Sequence, residues 1–364
     1  MDKEKRNVLL VTLQDNNNIG NRLQNYALQL ILEKLRLKVV NLDDGQNDIS
    51  VKTEVKNLIK YVLSIVGLRR NGIETYYRMK RYQVNRKFTN GYIHNINKVT
   101  YTDVYRKDWT AFAAGIVGSD QVWHKWRNDV NELPYYYLEF LPEDKRVAYA
   151  ASFGFEQFPL NNRNQHIEGI KGMNHISCRE KKGCDLVESV IHKKVPHVLD
   201  PTLLLSPDDW HDLSIDANEY SKSQKNYAFL YFLGELPSEY RKEVQRIINE
   251  KNLEVIDFLD FTDKNIANCG PKEFISLIEN ASYVFTDSFH CCVFSLLFNR
   301  RFEVFRRKGP GMEKMFSRIE ELLINTENSE KIFGNVKSKK KPENFERLKA
   351  DSLEYINRVI NNAL

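Results

Sequence analysis

Short runs of β-branched and aromatic residues alternate along the chain with segments whose apolar positions recur at helical spacing. Residues 8–13 (VLLVTL) form the first strand-like run, and Leu23, Ala27, Leu30, Ile31 and Leu35 then share one face of a helix before a second strand at 38–42. Further strand-like runs stand at 114–119, 147–152 and 175–179, and the apolar stretch 197–205 completes this half. The polar stretch 214–226 reads as a linker. The rhythm then restarts with 227–234, a helix over 237–251, a strand over 253–259, a helix opened by Pro271, the run YVFTDSFH at 283–290, a helix, and a last strand at 301–305. Pro271 suits a first helical turn, where its missing amide proton would be unpaired in any case. Alternation of this kind implies parallel strands with helices on both faces.

At 364 residues the chain exceeds the size at which a single core usually stops growing. The expectation is an α/β protein of two doubly wound, Rossmann-like domains facing across a cleft. The first covers residues 1–215, with a basic helical insertion at 50–110. The second covers 225–335, and an amphipathic helix in 336–364 is expected to pack back on the first domain.

Charge refines this picture. The formal net charge is +5, but residues 52–107 hold thirteen Lys and Arg against three acids, a net of +10, so the rest of the chain carries −5. Val55, Leu58, Ile59, Val62, Leu63 and Val66 recur at helical spacing inside this segment, which permits an amphipathic helix on an anionic membrane surface. The plainer reading is a helix packed on the domain with a solvated basic face. No nucleic-acid-binding module accompanies the charge, so a nucleic-acid partner is not expected. No run of about 18 apolar residues is present, which argues against a spanning helix, and the charged start MDKEKR is unlike a signal peptide. Five cysteines without a CxxC pair and eight histidines without an HExxH motif point to reduced thiols, no bound metal and a cytoplasmic location.

Four polar clusters close strand-like runs, where open α/β sheets place their ligands. In the first, Asp15 is followed by a helix start at Gly20 and Asn21, with Gln24 and Asn25 one turn further in. Free amides at such a start favour an anion, although the GxGxxG dinucleotide fingerprint is absent. The second holds Asp120 and Gln121, which can bond hydroxyls, and Trp123, a face for a sugar ring. The third places Arg179 at a strand end, where its planar fork matches a phosphate or carboxylate. The fourth holds Asp287, Ser288 and His290 before the apolar helix CCVFSLLF; Asp287 is placed either to orient His290 or to cap that helix.

The succession NIGNRLQNYALQ, GSDQVW, SFG, SCRE, DPTLLLSPDDW, YFLG, GPKEF and TDSFH, spread over residues 8–325, resembles the polysaccharide pyruvyl transferase family. The resemblance implies a GT-B-like fold. It also implies transfer of a pyruvyl group from phosphoenolpyruvate to two hydroxyls of a sugar, in capsular, exopolysaccharide or cell-wall glycan synthesis. Phosphoenolpyruvate would be a co-substrate and no cofactor is expected. Arg179 matches the family's donor-binding arginine and His290 the histidine that ends its TDxxH motif. Ser288 stands where many members carry arginine, and Cys291 where many carry glycine. On this reading His290 is the general acid with Asp120 or Asp15 as base. Arg179, Asp287, Ser288 and His290 hold the donor, while Asn21, Gln24, Asn25, Gln121 and Trp123 hold the acceptor. A lipid-linked acceptor at the inner membrane face would suit the basic segment. A glycosyltransferase of the same architecture using a nucleotide sugar, and a non-catalytic saccharide-binding protein, are the alternatives.

Overall fold

The computed structural model describes residues 6–68, 70–307, 312–334 and 344–363. The charged stub at 1–5, Arg69, residues 308–311, and residues 335–343 and 364 of the carboxyl segment lie outside the described residues.

Ten strands form two wholly parallel sheets. The first contains β1 (Asn7–Val11), β2 (Lys38–Asp43), β3 (Ile96–Lys98), β4 (Ala114–Val117), β5 (Arg146–Ala151) and β6 (His175–Cys178), in the order β3-β2-β1-β4-β5-β6. The second contains β7 (Tyr227–Tyr231), β8 (Glu254–Asp257), β9 (Tyr283–Thr286) and β10 (Phe302–Val304), in the order β10-β9-β7-β8. The first is the 3-2-1-4-5-6 doubly wound order, whose direction of winding reverses between β1 and β4. In the second the reversal lies between β7 and β9. Helices cover both faces of such sheets, so the central strands are apolar throughout rather than alternating. All four residues of β4 are buried, as are Val8 to Val11 of β1.

Two sequence expectations are revised. The apolar run 197–205 makes only a single bridge, His197 to Cys178, and then turns into a 3₁₀ helix at Pro201–Leu203. Pro201 has no amide to donate to a ladder, and Asp200 caps the turn by accepting from the Thr202 amide. The stretch read as a linker is structured. It holds the short helix Glu219–Ser223 and is fastened by the Asn218 amide, which donates to Glu273 at 3.0 Å.

The two halves share one apolar cluster, running from Leu10 and Leu23 through Trp210 to Phe229, Phe274 and Phe294. The basic insertion forms two helices, Val51–Ile65 and Gly72–Tyr92. From the second of these Arg81 reaches into the other half, donating to the carbonyls of Ile266 and Phe258 and lying 4.1 Å from the Phe258 ring centre. The last helix, Phe345–Ala363, returns to the first half: the Leu199 amide donates to Ser352 at 2.9 Å, and the Tyr355 hydroxyl to the Ala148 carbonyl at 3.4 Å.

One buried histidine carries a stability prediction. His166 packs among Phe153, Phe155 and Phe158, with Nδ1 2.9 Å from the Tyr137 hydroxyl. Burial, helped by the nearby charge of His124 and Lys125, pushes its pKa down from 6.5 to about 4. The folded state therefore resists a proton that the unfolded chain accepts. Its contribution is complete above pH 6.5 and is lost as pH falls towards 4, amounting to about 3 kcal/mol. Chemical denaturation at pH 7 and pH 4 checks this: His166→Gln is expected to lose about 3 kcal/mol less than the wild type over that interval. Equal losses in the two proteins would refute it.

Candidate active site

A cavity of about 500 Å³ opens between the two halves, lined by residues from both. It lies at the carboxyl ends of β1 and β4 on one side and of β7 and β9 on the other, so the points at which both sheets reverse their winding face each other. A volume of this order is in the range of small-molecule sites.

The first wall begins where β1 ends. Asp15 accepts from the Asn17 amide at 2.8 Å, and Asn18 caps the helix Ile19–Lys34 by accepting from the Asn21 amide at 3.2 Å. Asn21 in turn donates its side-chain amide to Asp120 Oδ2. Asp120 follows β4 in the left-handed region, at φ +70°, a conformation that non-glycine residues adopt at a cost and that clusters at functional sites. That backbone directs its carboxylate towards the cavity, where Gln121 also lies.

Behind this wall stands a buried ionic cluster. Arg179 is 6% exposed and gives each terminal and bridging nitrogen to a different carboxylate: Nη1 to Asp200 at 2.8 Å, Nε to Glu180 at 3.1 Å and Nη2 to Asp120 at 3.3 Å. Burial alone would raise the pKa of Asp120 and Asp200, but the Arg179 guanidinium together with the other neighbouring cations and hydrogen bonds outweighs it and holds both low, Asp200 at about 2. The same three carboxylates raise the pKa of Arg179 despite its burial.

The second wall is built by β9 and the helix that follows. Asp287 neither caps that helix nor orients His290. Its carboxylate accepts from the amides of Leu233 at 2.8 Å and Gly234 at 2.9 Å, and from Arg307 Nε at 2.8 Å, so it ties the β7 loop and Arg307 to the end of β9. Ser288 provides no side-chain cap for the helix Phe289–Leu297. His290 sits in the first turn of that helix with Nε2 buried and without a hydrogen-bond partner, 3.9 Å from Asp200 Oδ2. Burial lowers its pKa, although Asp200 and Asp120 oppose the shift, so the imidazole is neutral at pH 7.

Across the cavity, Gly20 faces this ring. A Cβ at Gly20 would lie 2.3 Å from His290 Nδ1, far inside contact distance. Gly20→Ala is therefore expected to push the imidazole from its place and to lower kcat at least tenfold, with a melting temperature close to wild type because the ring can retreat into the cavity. Activity assays beside a thermal melt check this; full activity in Gly20→Ala would mean that the ring position does not matter.

Seven of the residues singled out from the sequence line the cavity: Asp15, Asn21, Asp120, Gln121, Asp287, Ser288 and His290. Four do not. Gln24 donates to Thr12, and Asn25 to Asn41, both in a polar seam between the first helix and the sheet. Trp123 is fully buried and stacks on Tyr137 at 5.0 Å, so the indole at the cavity is Trp126 instead. Arg179 lies behind the wall, with its fork already committed.

The cations that do face the cavity include Arg307 and Arg318, neither of which sequence reasoning found. Arg307 stands just beyond the end of β10, a position the strand-end rule could have flagged; Arg318 is inside the helix Met312–Asn325 and carries no local signal. Arg318 Nε is buried without a hydrogen-bond partner, and its closest carboxylates are Asp120 at 3.9 Å and Glu180 at 4.0 Å. Burial and the neighbouring Arg179 lower its pKa. Among the described residues, no group of three or more His, Cys, Asp or Glu side chains is arranged to hold a metal ion.

The family model for polysaccharide pyruvyl transferases matches residues 18–308, most of the chain. The chain belongs to the polysaccharide pyruvyl transferase family. The match takes in most of both walls of the cavity and Arg307, but begins after Asp15 and ends before Arg318. No curated protein matches the sequence. Among solved structures, this pyruvyl transferase family member is similar to the UDP-GlcNAc 2-epimerase of Methanocaldococcus jannaschii, at 12% identity and a TM-score of 0.43 over 98% of this chain and 99% of that one. The UDP-N-acetylglucosamine 2-epimerase of Rickettsia bellii gives 9% identity and a TM-score of 0.45, over 98% and 96%. The E. coli ADP-heptose LPS heptosyltransferase II gives 9% and 0.37, over 98% of both chains. The fold assignment rests on the strand order of the two parallel sheets themselves.

Proposed function

We propose that this family member transfers the pyruvyl group of phosphoenolpyruvate to two hydroxyls of a saccharide, forming a cyclic ketal and releasing phosphate. The observation that carries the reading is Arg318, a largely enclosed cation whose Nε has no hydrogen-bond partner, lining the same cavity as His290, whose Nε2 is likewise without a partner. A donor bearing a carboxylate and a phosphate asks for two anion sites. Arg318 supplies one; the open amides at the start of the helix Phe289–Leu297, left without a side-chain cap by Ser288, supply the other. Arg318 thus takes the part that an arginine at position 288 would otherwise play.

The chemistry follows from the charges. A phosphate beside His290 raises the affinity of its imidazole for a proton, which the ring then delivers to the methylene carbon of the donor. The adjacent carbon becomes electrophilic, one saccharide hydroxyl adds to it, phosphate leaves, and a second hydroxyl closes the ketal. Asp120, held ionised by Arg179, is the base that accepts the hydroxyl protons, and Asn21 holds its carboxylate in place. Asp15 stands at the same wall as a second candidate for this step.

Incubating the protein with phosphoenolpyruvate and saccharides bearing neighbouring hydroxyls tests the reading. Phosphate is expected together with a saccharide heavier by one pyruvate less water. Nucleotide release from a sugar nucleotide, or saccharide binding without turnover, would replace this reading with a glycosyltransferase or a binding protein.

A further inference from the structure

The helix Val51–Ile65 buries none of its residues fully, although it is strongly amphipathic. Its contacts run through one side. Tyr61 stacks on Tyr76 at 4.2 Å, and Ser64 Oγ accepts from the Gly72 amide at 2.9 Å. The opposite side is an apolar stripe of Val51, Val55, Leu58, Ile59, Val62 and Ile65, spaced as one helix face and between 47% and 75% exposed. Along the flank of the stripe stand Lys52 and Lys56, one turn apart, with Lys60 a turn further on and nearer the packed side, where its Nζ donates to Asn57 at 3.3 Å; Glu54 is the only acid of the helix.

We propose that this helix docks the protein on an anionic lipid surface. Two features select a membrane over a second copy of the chain. An apolar stripe bordered by lysines matches the layering of a bilayer interface, with acyl chains beneath and acidic headgroups at the level of the charges. Pairing two copies through the same face would bring like rows of lysine together, within a segment of net charge +10 over residues 52–107. No described helix is long and apolar enough to cross a membrane, so the contact is peripheral.

The position of the helix gives docking a consequence. Asn47 lines the cavity, and the helix starts four residues later at Val51, a span of at most about 14 Å of extended chain. A docked helix therefore holds the cavity close to the lipid, where an acceptor on a lipid carrier would be presented. That consequence rests on the saccharide-transfer reading, whereas docking itself does not and is measured without any substrate.

Flotation of the full chain with phosphatidylcholine vesicles, with and without phosphatidylglycerol, tests the proposal. Binding is expected only to the vesicles containing phosphatidylglycerol, and to weaken as salt is raised. Replacing Lys52, Lys56 and Lys60 by Gln is expected to weaken partition about 100-fold, at roughly fivefold per charge near the surface. Leu58→Asp with Val62→Asp is expected to abolish it, and circular dichroism should show both proteins folded, since all five side chains lie away from the core. Three results overturn the proposal: no vesicle binding by the wild type, equal binding by the folded variants, or a wild-type dimer that Leu58→Asp with Val62→Asp converts to a monomer while vesicles are ignored. The transferase assay, read with a soluble acceptor, separates failure of docking from failure of the proposed chemistry.

Discussion

Replacing His290 by Ala is expected to lower turnover by about 10² to 10⁴, the range over which a positioned acid or base acts, while the protein keeps its fold and its affinity for phosphoenolpyruvate within about tenfold. The imidazole is neutral because burial outweighs the two neighbouring carboxylates, and it has one nitrogen uncommitted. A group in that condition takes up a proton when an anion arrives and surrenders it to carbon, so its loss falls on kcat rather than on binding. Its Nε2 makes no protein hydrogen bond, which means that little native structure is lost with the ring. A pH profile sharpens the test: the ring acts only when protonated, so the basic limb, where activity falls as pH rises, should vanish in His290→Gln. Retention of more than about a tenth of wild-type turnover would remove the acid role.

The extent to which this site could be read in advance follows from the physics of parallel sheets. Strands buried on both faces announce themselves as continuous apolar runs, which is why β1, β4, β7 and β9 were recognisable, and the residues just beyond them lie at the sheet's ligand edge. Asp120 and His290 were found in this way. The three-residue strand β3, with sequence INK, carries no such signal because two of its residues are polar and none is fully buried. Polar residues one turn into a helix are harder to place, since the same Gln24 or Asn25 can point to a cavity or into a polar seam, and only packing decides. Trp123 and Arg179 lie off the cavity lining for a related reason: a strand end names a neighbourhood, but not which of its side chains turn inwards. Arg318 was invisible because an arginine within an amphipathic helix has no local mark of function.

That distinction between two arginines gives the last prediction. Arg179→Ala is expected to destabilise the protein by about 3 to 5 kcal/mol, because it leaves Asp120, Glu180 and Asp200 buried together without the cation that all three bond. Arg318→Ala removes a cation that stands beside Arg179 and reaches its nearest carboxylates only at 3.9 and 4.0 Å, so the melting temperature should stay near or above wild type. Its cost should fall on the donor instead: with a charge-assisted contact worth about 3 kcal/mol gone, KM for phosphoenolpyruvate is expected to rise about a hundredfold. Arg318→Lys should restore part of the affinity, since charge survives while the planar fork does not. Thermal melts and donor saturation curves on the three variants decide between the arginines. If Arg179→Ala melted as the wild type does and alone lost donor affinity, the cation that holds the donor would be Arg179, and the carboxylate cluster around it would have to open when the donor binds.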